Sequence, residues 1–491
     1  MSDTPLEASL PLATTATPPV EFSSSLGEQP LSPLDGRYRS STAPLTEHLS
    51  EAALNRARTH VEIEWLLFLA DKQLFGVTRV SADEAARLRA FASGFGPAQL
   101  AELAQLEATT RHDVKAVEYL VRAELARTGL SRIVELTHFA CTSEDINNIA
   151  YALNIRAALE LVWLPGFTEL IEQLKTMAVG YRDDAMLALT HGQPATPTTL
   201  GKELAVFAHR LERIATRVGD QAYSAKFNGA TGTFSAHLIA DENADWQALS
   251  REFVSSFGLV WSPLTTQIES HDWQVELYQA VAHGGRILHN LCTDVWSYIS
   301  AGYLRQVAIP GATGSSTMPH KVNPIRFENA EANLEIAGAL LEVLSNTLPT
   351  SRLQRDLTDS TTQRNIGVAL GHSLVAIDNI RRGLHEVSID RDRMNADLDA
   401  NWEVLAEAVQ TVIRAETLAG RSAIKDPYLL LKDFTRGKRV EAQDYRRFVE
   451  SLEIGEAARS RLLHLTPERY TGLASALVDQ LIPAPGPAPA P

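Results

Sequence analysis

The chain has 491 residues, room for about three domains at ~150 residues each, so a small module dependent on disulfide or metal staples is excluded by size. Hydrophobic side chains make up 45% of it and charged ones 21%, which excludes a wholly disordered or fibrous chain. With 60 acidic against 45 basic side chains the net charge is −15, which excludes a broad basic surface for nucleic acid or anionic membrane; an anionic ligand needs a local cluster of cations.

Along the chain, residues 1–30 carry Pro5, Pro11, Pro18, Pro19 and Pro30 and no Lys or Arg, so an extended or disordered tail is expected, without the basic start of a secretory signal or transit peptide. Two polar motifs follow at residues 31–38 (LSPLDGRY) and 111–119 (RHDVKAVEY), and a third at 137–148 (THFACTSEDINN). Residues 146–178 are rich in helix formers, with Pro165 as the expected kink or break. Residues 190–199 (THGQPATPTT) read as a loop, after which Leu204, Phe207, Leu211, Ile214 and Val218 step by three and four, the spacing of an apolar helical seam. A polar stretch at 265–269 (TTQIE) precedes a second seam at Leu288, Leu291, Val295 and Tyr298. Residues 311–324 (GATGSSTMPHKVNP) read as a glycine-bearing loop, and a third seam follows at Phe327, Ala330, Leu334, Ala337, Leu341, Leu344 and Leu348. Residues 355–364 read RDLTDSTTQR, and five prolines mark a tail at 483–491.

Only 13 of the 23 prolines fall in residues 31–482, a density that permits long uninterrupted helices. The pattern predicts an all-α fold of long helices packed as a bundle, with no convincing succession of strands, no repeat of 20 to 50 residues and no apolar run near the ~18 to 20 residues of a membrane span. Cys141 and Cys292 are too few for a disulfide framework and lack metal-site spacing, so a reducing, cytoplasmic setting is expected. No nucleotide-cofactor glycine motif is found either, and the expectation is neither cofactor nor metal.

Several residues carry two readings. Thr142 and Ser143 precede Glu144, Asp145 and a helical pattern, so they cap the helix or use its N-terminus to hold an anion. Asn323 and Pro324 read as N-cap and first helical residue of the third seam helix. Ser360 and Arg364 are four apart on one helix face with Arg355 just upstream; this is either ordinary surface charge or a hydroxyl and guanidinium set suited to phosphate. His191 is either a surface or structural histidine or an acid–base group with an ordinary pKa of ~6.5.

Residues 314–324 match every fixed position of GSSxMPxKxNP and so resemble the signature of the fumarase/aspartase superfamily. Together with the motifs at 31–38, 111–119, 137–148, 190–199 and 355–364, the chain resembles the adenylosuccinate lyases within it. The resemblance implies three helical domains with a long central bundle, expected at 31–131, 132–385 and 386–482, and a homotetramer whose active sites are shared between subunits. It implies β-elimination of fumarate from a small-molecule nucleotide: adenylosuccinate, and SAICAR, the succinylated carboxamide ribotide of purine synthesis.

That chemistry needs a base, a means of holding carbanion charge and an acid for the leaving nitrogen. By resemblance, Ser315 is the base, with Ser316 beside it in the binding set, and His191 is the acid. Lys321, Asn323, Thr142 and Ser143 hold succinyl carboxylates, while Gln267, Asn329, His138 and His112 bond the substrate; His320 reads as loop scaffold. Arg37, Tyr38, Arg111, His112 and Asp113 match nucleotide-binding positions, and Arg355, Ser360 and Arg364 a phosphate site. The rivals are argininosuccinate lyase, fumarase and aspartase, whose substrates lack a phosphate, and a non-catalytic structural oligomer of the same fold, against which the intact Ser315, His191 and Lys321 weigh.

Overall fold

The structure is a computed structural model that describes residues 30–307, 318, 320–436 and 439–481. Three groups of helices succeed one another. The first holds α1 (Arg39–Leu49), α2 (Glu51–Asp71), α3 (Ala82–Ser93), α4 (Pro97–Thr110) and α5 (Asp113–Arg127). The second holds α6 (Ser143–Ala158), α7 (Leu164–Gly180), α8 (Leu200–Gly219), two short helices α9 (Ser235–Ala240) and α10 (Trp246–Ser256), the 30-residue α11 (Asp272–Ala301), α12 (Ile325–Thr347), α13 (Thr358–Gln363) and α14 (Ile366–His385). The third runs from α15 (Arg391–Asp399) and α16 (Ala406–Leu418) through short helices to Leu481, with its own apolar core built on Leu405, Val409, Ile413, Tyr445 and Val449.

The seams read from the sequence are the buried faces of the bundle. Leu204, Phe207, Leu211, Ile214 and Val218 of α8, Leu288, Leu291 and Val295 of α11, and Phe327, Ala330, Leu334, Ala337, Leu341 and Leu344 of α12 with Leu348 just past its end are all buried, and Tyr298 packs half-buried against the same core. α12 lies between α11 and α14 and packs along both, while α7 packs on α8. Gly383 lets α14 come close to α12: a Cβ there would stand 2.8 Å from the Phe327 ring. The 146–178 stretch is two helices joined by a π turn at Leu159–Trp163, directly before Pro165. Proline offers no N–H to the preceding turn and its ring crowds that turn's carbonyl, so the wider turn absorbs the break without ending the helical path.

Three short two-stranded sheets accompany the helices: β1 (Ala185–Thr190) with β2 (Gln193–Thr199) antiparallel, β3 (Ser224–Ala225) with β4 (Val260–Trp261) parallel, and β5 (Leu304–Gln306) with β6 (Val387–Ile389) antiparallel; the first of them corrects one reading. Residues 190–199 are therefore the tip and second strand of a hairpin rather than a loop. Pro194 and Pro197 are tolerated because each strand of a two-stranded sheet keeps one free edge where no N–H is needed. Ala185 and Leu187 anchor the hairpin on Leu398 and Val404 of the third helical group. A second correction concerns the start of α12, which begins at Ile325 with Pro324 as its N-cap, one residue later than Asn323-Pro324 suggested. No helix among the described residues is long and apolar enough to cross a membrane.

Candidate active site

Two of the predicted residues, Ser315 and Ser316, lie outside the described residues. The others, His138 apart, occupy four places. The first is the hairpin tip. Thr190 pairs with Gln193, leaving His191 (φ 54°) and Gly192 (φ 72°) as the two central residues of a left-handed turn that suits a twisted hairpin. Holding a non-glycine residue there costs about 1 kcal/mol, and it sets the exposed imidazole at the very end of the hairpin. His191 has no hydrogen-bonding partner among the described residues.

The second place is the start of α12. Asn329 Nδ2 donates to Tyr38 Oη at 2.9 Å, bringing together two predicted residues 291 positions apart. Asn329 lies one turn into α12, about 6 Å along the axis from Ile325, so the Arg37-Tyr38 segment sits beside the chain that delivers Lys321 and Asn323. Arg37 and Lys321 are exposed, as is Arg111, which caps the end of α4 in a left-handed conformation.

The third place is the start of α6. Thr142 is the N-cap, and its N–H donates to the Asp145 carboxylate at 2.8 Å, so the capping reading holds. Asp145 is wholly buried and receives far more: Lys226 Nζ at 2.9 Å, itself wholly buried, and the N–H groups of Asn228 at 3.0 Å and Gly229 at 3.1 Å. Lys226 Nζ also donates to Gly229 O at 3.1 Å. The same loop is tied onward, since Asn228 Nδ2 donates to Thr265 Oγ1 at 2.8 Å and Gln267 Nε2 to Ala230 O at 2.8 Å. Gly232 (φ 73°) is required where this loop crosses Thr265, whose carbonyl oxygen would lie 2.2 Å from an added Cβ. Thr142, Ser143 and Gln267 thus belong to one cross-tied frame.

The fourth place is a run of alternating charge. Arg364 meets Glu51 at 2.5 Å and Asp113 at 3.4 Å; Asp113 also meets Arg58 at 2.9 Å. Arg58 Nε donates to Asn147 Oδ1 at 2.8 Å, and Asn147 Nδ2 donates to Glu144 Oε1 at 2.8 Å. Glu144 meets Arg355 at 3.0 Å, and Arg355 reaches Asp359 at 3.4 Å. Burial alone would raise the Asp113 carboxyl, but Arg58 and then Arg364 outweigh it and hold its pKa below the usual carboxylate range. His112 caps α5, its Nδ1 accepting from Lys115 N at 3.3 Å and lying 3.6 Å from Asp113. Arg355 and Arg364 therefore sit in one network, each already facing carboxylates from other segments. Ser360 is half-buried in the single turn and a half of α13, where Arg364 is the C-cap, so the shared helix face expected for the pair is the helix end.

His138 lies between the third and fourth places, and its partner was missed from sequence, as were Arg58, Asp145 and Lys226. Glu62, wholly buried, accepts from His138 N at 3.1 Å and meets its Nδ1 at 2.6 Å. A signal was present. Arg58 and Glu62 are four apart in α2, and Ala57, Val61, Ile63, Trp65 and Leu66 around them are buried, so neither charge has a solvent face to occupy.

Comparison with known proteins places this architecture. The family model described as Lyase matches residues 36–338, and the one described as Adenylosuccinate lyase C-terminal matches residues 351–471. The adenylosuccinate lyase of Escherichia coli (strain K12) is 45% identical over 453 residues, 92% of this chain and 98% of that protein. That of Haemophilus influenzae is 44% identical over the same shares. Among solved structures, the 3-carboxy-cis,cis-muconate lactonizing enzyme of Pseudomonas putida superposes with a TM-score of 0.69 at 22% identity over 89% of this chain and 96% of its own, and a fumarate lyase from Mesorhizobium sp. BNC1 with 0.69 at 21% over 89% and 97%. Those two likenesses speak to the fold. The full-length matches, together with the intact motif residues of all four places, mean that the chain belongs to the adenylosuccinate lyase family.

Proposed function

We propose that the protein cleaves adenylosuccinate to AMP and fumarate, and SAICAR to its carboxamide ribotide and fumarate. The observation that carries this reading is the 45% identity to a protein named adenylosuccinate lyase across 98% of that protein's length. In the proposed reaction Ser315 removes the proton from the carbon beside a succinyl carboxylate. Lys321, Asn323, Thr142 and Ser143 hold the two carboxylates, so that charge spreads onto oxygen as the proton leaves. His191 gives a proton to the departing nitrogen, and fumarate forms as the C–N bond breaks. Arg364, Arg355 and Ser360 receive the phosphate, the arginines exchanging a carboxylate partner for it, while Arg37, Tyr38, Arg111, His112 and Asp113 line the nucleotide end. Ser316, Gln267, Asn329 and His138 complete the hydrogen bonding.

The same reading makes the chain a homotetramer of three-domain subunits (31–131, 132–385, 386–482) working in the cytoplasm. Two features support the assembly. Val206 of α8, Trp296 of α11 and Ile336 and Val343 of α12 expose apolar surface on the long bundle, beside an open groove of about 580 Å³ between α11 and α12. His191, exposed at the tip of its hairpin, has no hydrogen-bonding partner among the described residues, as suits a group that completes a site shared with a neighbouring subunit. The test of assembly is the mass in solution by light scattering: a tetramer is expected, and a monomer that turns over substrate would overturn it.

A further inference from the structure

We propose that Glu62 is a positioning residue that holds His138 by both its ring and its backbone, so that the imidazole stays protonated and offers Nε2–H to an anionic group of the bound substrate. This rests on the placing of His138 among the substrate-binding residues. Glu62 reaches His138 with both carboxylate oxygens: Oε2 takes the backbone N–H at 3.1 Å and Oε1 meets Nδ1 at 2.6 Å. Glu62 is 0% exposed and His138 is its sole polar partner among the described residues, so the carboxylate has no alternative way to be satisfied. His138 is held in the left-handed region (φ 55°), and Ala140 two residues on has φ 56°. Trp65, one turn beyond Glu62 on the same helix, donates its indole N–H to Phe139 O at 3.0 Å and fixes the peptide between them. A strained bend pinned from a single buried helix face is a device for aiming a side chain.

The tautomer follows from the contact. Against a carboxylate, Nδ1 must carry a proton, and Nε2 can then donate only if the ring is an imidazolium. Nε2 has no partner among the described residues, and the side chain keeps 19% exposure. The groups that face His138 all push the same way: Glu62 from α2, Glu118 from α5 and Asp145 from α6. The last two also bind Lys115 at 2.7 Å and Lys226 at 2.9 Å, so Glu62 dominates. Burial opposes protonation, but the Glu62 carboxylate outweighs it and holds the His138 pKa above the usual histidine value. The cationic donor is therefore present below pH ~6.5 and is lost only as pH rises through the raised value.

The experiment is steady-state kinetics on adenylosuccinate from pH 6 to 8.5 with Glu62→Gln and Glu62→Asp, alongside ¹³C-imidazole spectra of His138 assigned by its absence in His138→Asn. Glu62→Gln keeps the shape but removes the charge: the amide oxygen can still accept the His138 N–H, while its NH₂ faces Nδ1, which favours a neutral ring with Nδ1 unprotonated. KM is expected to rise about tenfold at pH 8, the loss of one charge-assisted hydrogen bond, and to return toward wild type at pH 6, where the ring protonates unaided. The His138 titration should move to lower pH in the substrate-free protein. Glu62→Asp keeps the charge on a shorter arm and should retain the wild-type pH dependence with an intermediate KM. A defect in Glu62→Gln that is equal at pH 6 and 8, or an unmoved His138 titration, would overturn the proposal; so would Glu62→Asp behaving like Glu62→Gln. Absence of adenylosuccinate cleavage by the wild-type protein would instead strike the proposed function and leave the titration result standing.

Discussion

Asp145 and Lys226 offer the sharpest energetic test, because both are 0% exposed and the two halves of the pair are unequally supported. The ammonium has Asp145 and one carbonyl, Gly229 O. The carboxylate has Lys226 and three backbone donors, Thr142, Asn228 and Gly229, and it stands in the first turn of α6, where the helix dipole favours negative charge. Lys226→Met therefore leaves a carboxylate that is still well solvated by N–H groups, at a cost of about 2 kcal/mol. Asp145→Asn leaves an ammonium with a single acceptor. It also turns an NH₂ toward N–H donors whichever way the amide is flipped, since Asn228 bonds Oδ1 and Thr142 bonds Oδ2. The cost of breaking a buried pair, about 3–5 kcal/mol, applies in full there. Hydrogen exchange over residues 142–158 reads the local opening directly without requiring two-state unfolding of a multi-domain chain. Exchange should quicken about 30-fold in Lys226→Met and about a thousandfold in Asp145→Asn. Equal effects, or the reverse order, would refute the asymmetry argument.

Ser315→Ala and His191→Asn should each lower kcat by about 10² to 10⁴ while the oligomer elutes unchanged on size exclusion; asparagine is chosen at 191 because it tolerates the left-handed turn. Near-normal turnover in either variant would remove that residue from its role. Arg364→Ala should weaken AMP binding at least tenfold and fumarate binding less than twofold, measured by calorimetry, because only the nucleotide carries the phosphate that replaces Glu51 and Asp113; equal effects would return Arg364 to structural charge pairing. Tyr38→Phe removes the 2.9 Å bond from Asn329, worth about 1 kcal/mol, and should raise KM about fivefold with little change in melting temperature.

The bundle was legible because burial leaves a period. Leu204 to Val218 and Phe327 to Leu348 could be placed on helix faces from spacing alone, and Pro165 marked its own break. The hairpin was not, because Pro194 and Pro197 carry the composition of a loop and only a two-stranded sheet excuses them. The motif residues could be named from the sequence as candidates, but their partners could not. Arg355 and Arg364 are nine apart in the chain, which suggested a shared phosphate site. Asp359 stands four residues on from Arg355 in the same motif, but Glu144, Glu51 and Asp113 come from three other elements that nothing in the local sequence connects. Asp145 read only as part of the helix start behind Thr142 and Ser143; it completes the Thr142 capping box, yet its larger task is to neutralise Lys226, 81 residues on and without a flanking motif that announced it. The net charge of −15 acquires a local meaning in the same way: acidic groups face Arg355 and Arg364, the arginines proposed to receive the phosphate.

The most direct test is to incubate the purified protein with adenylosuccinate and follow the conversion by absorbance, identifying AMP and fumarate in equal amounts by chromatography. Stoichiometric AMP and fumarate are the predicted result. No turnover of adenylosuccinate, with turnover of argininosuccinate or malate by the same preparation, would contradict it.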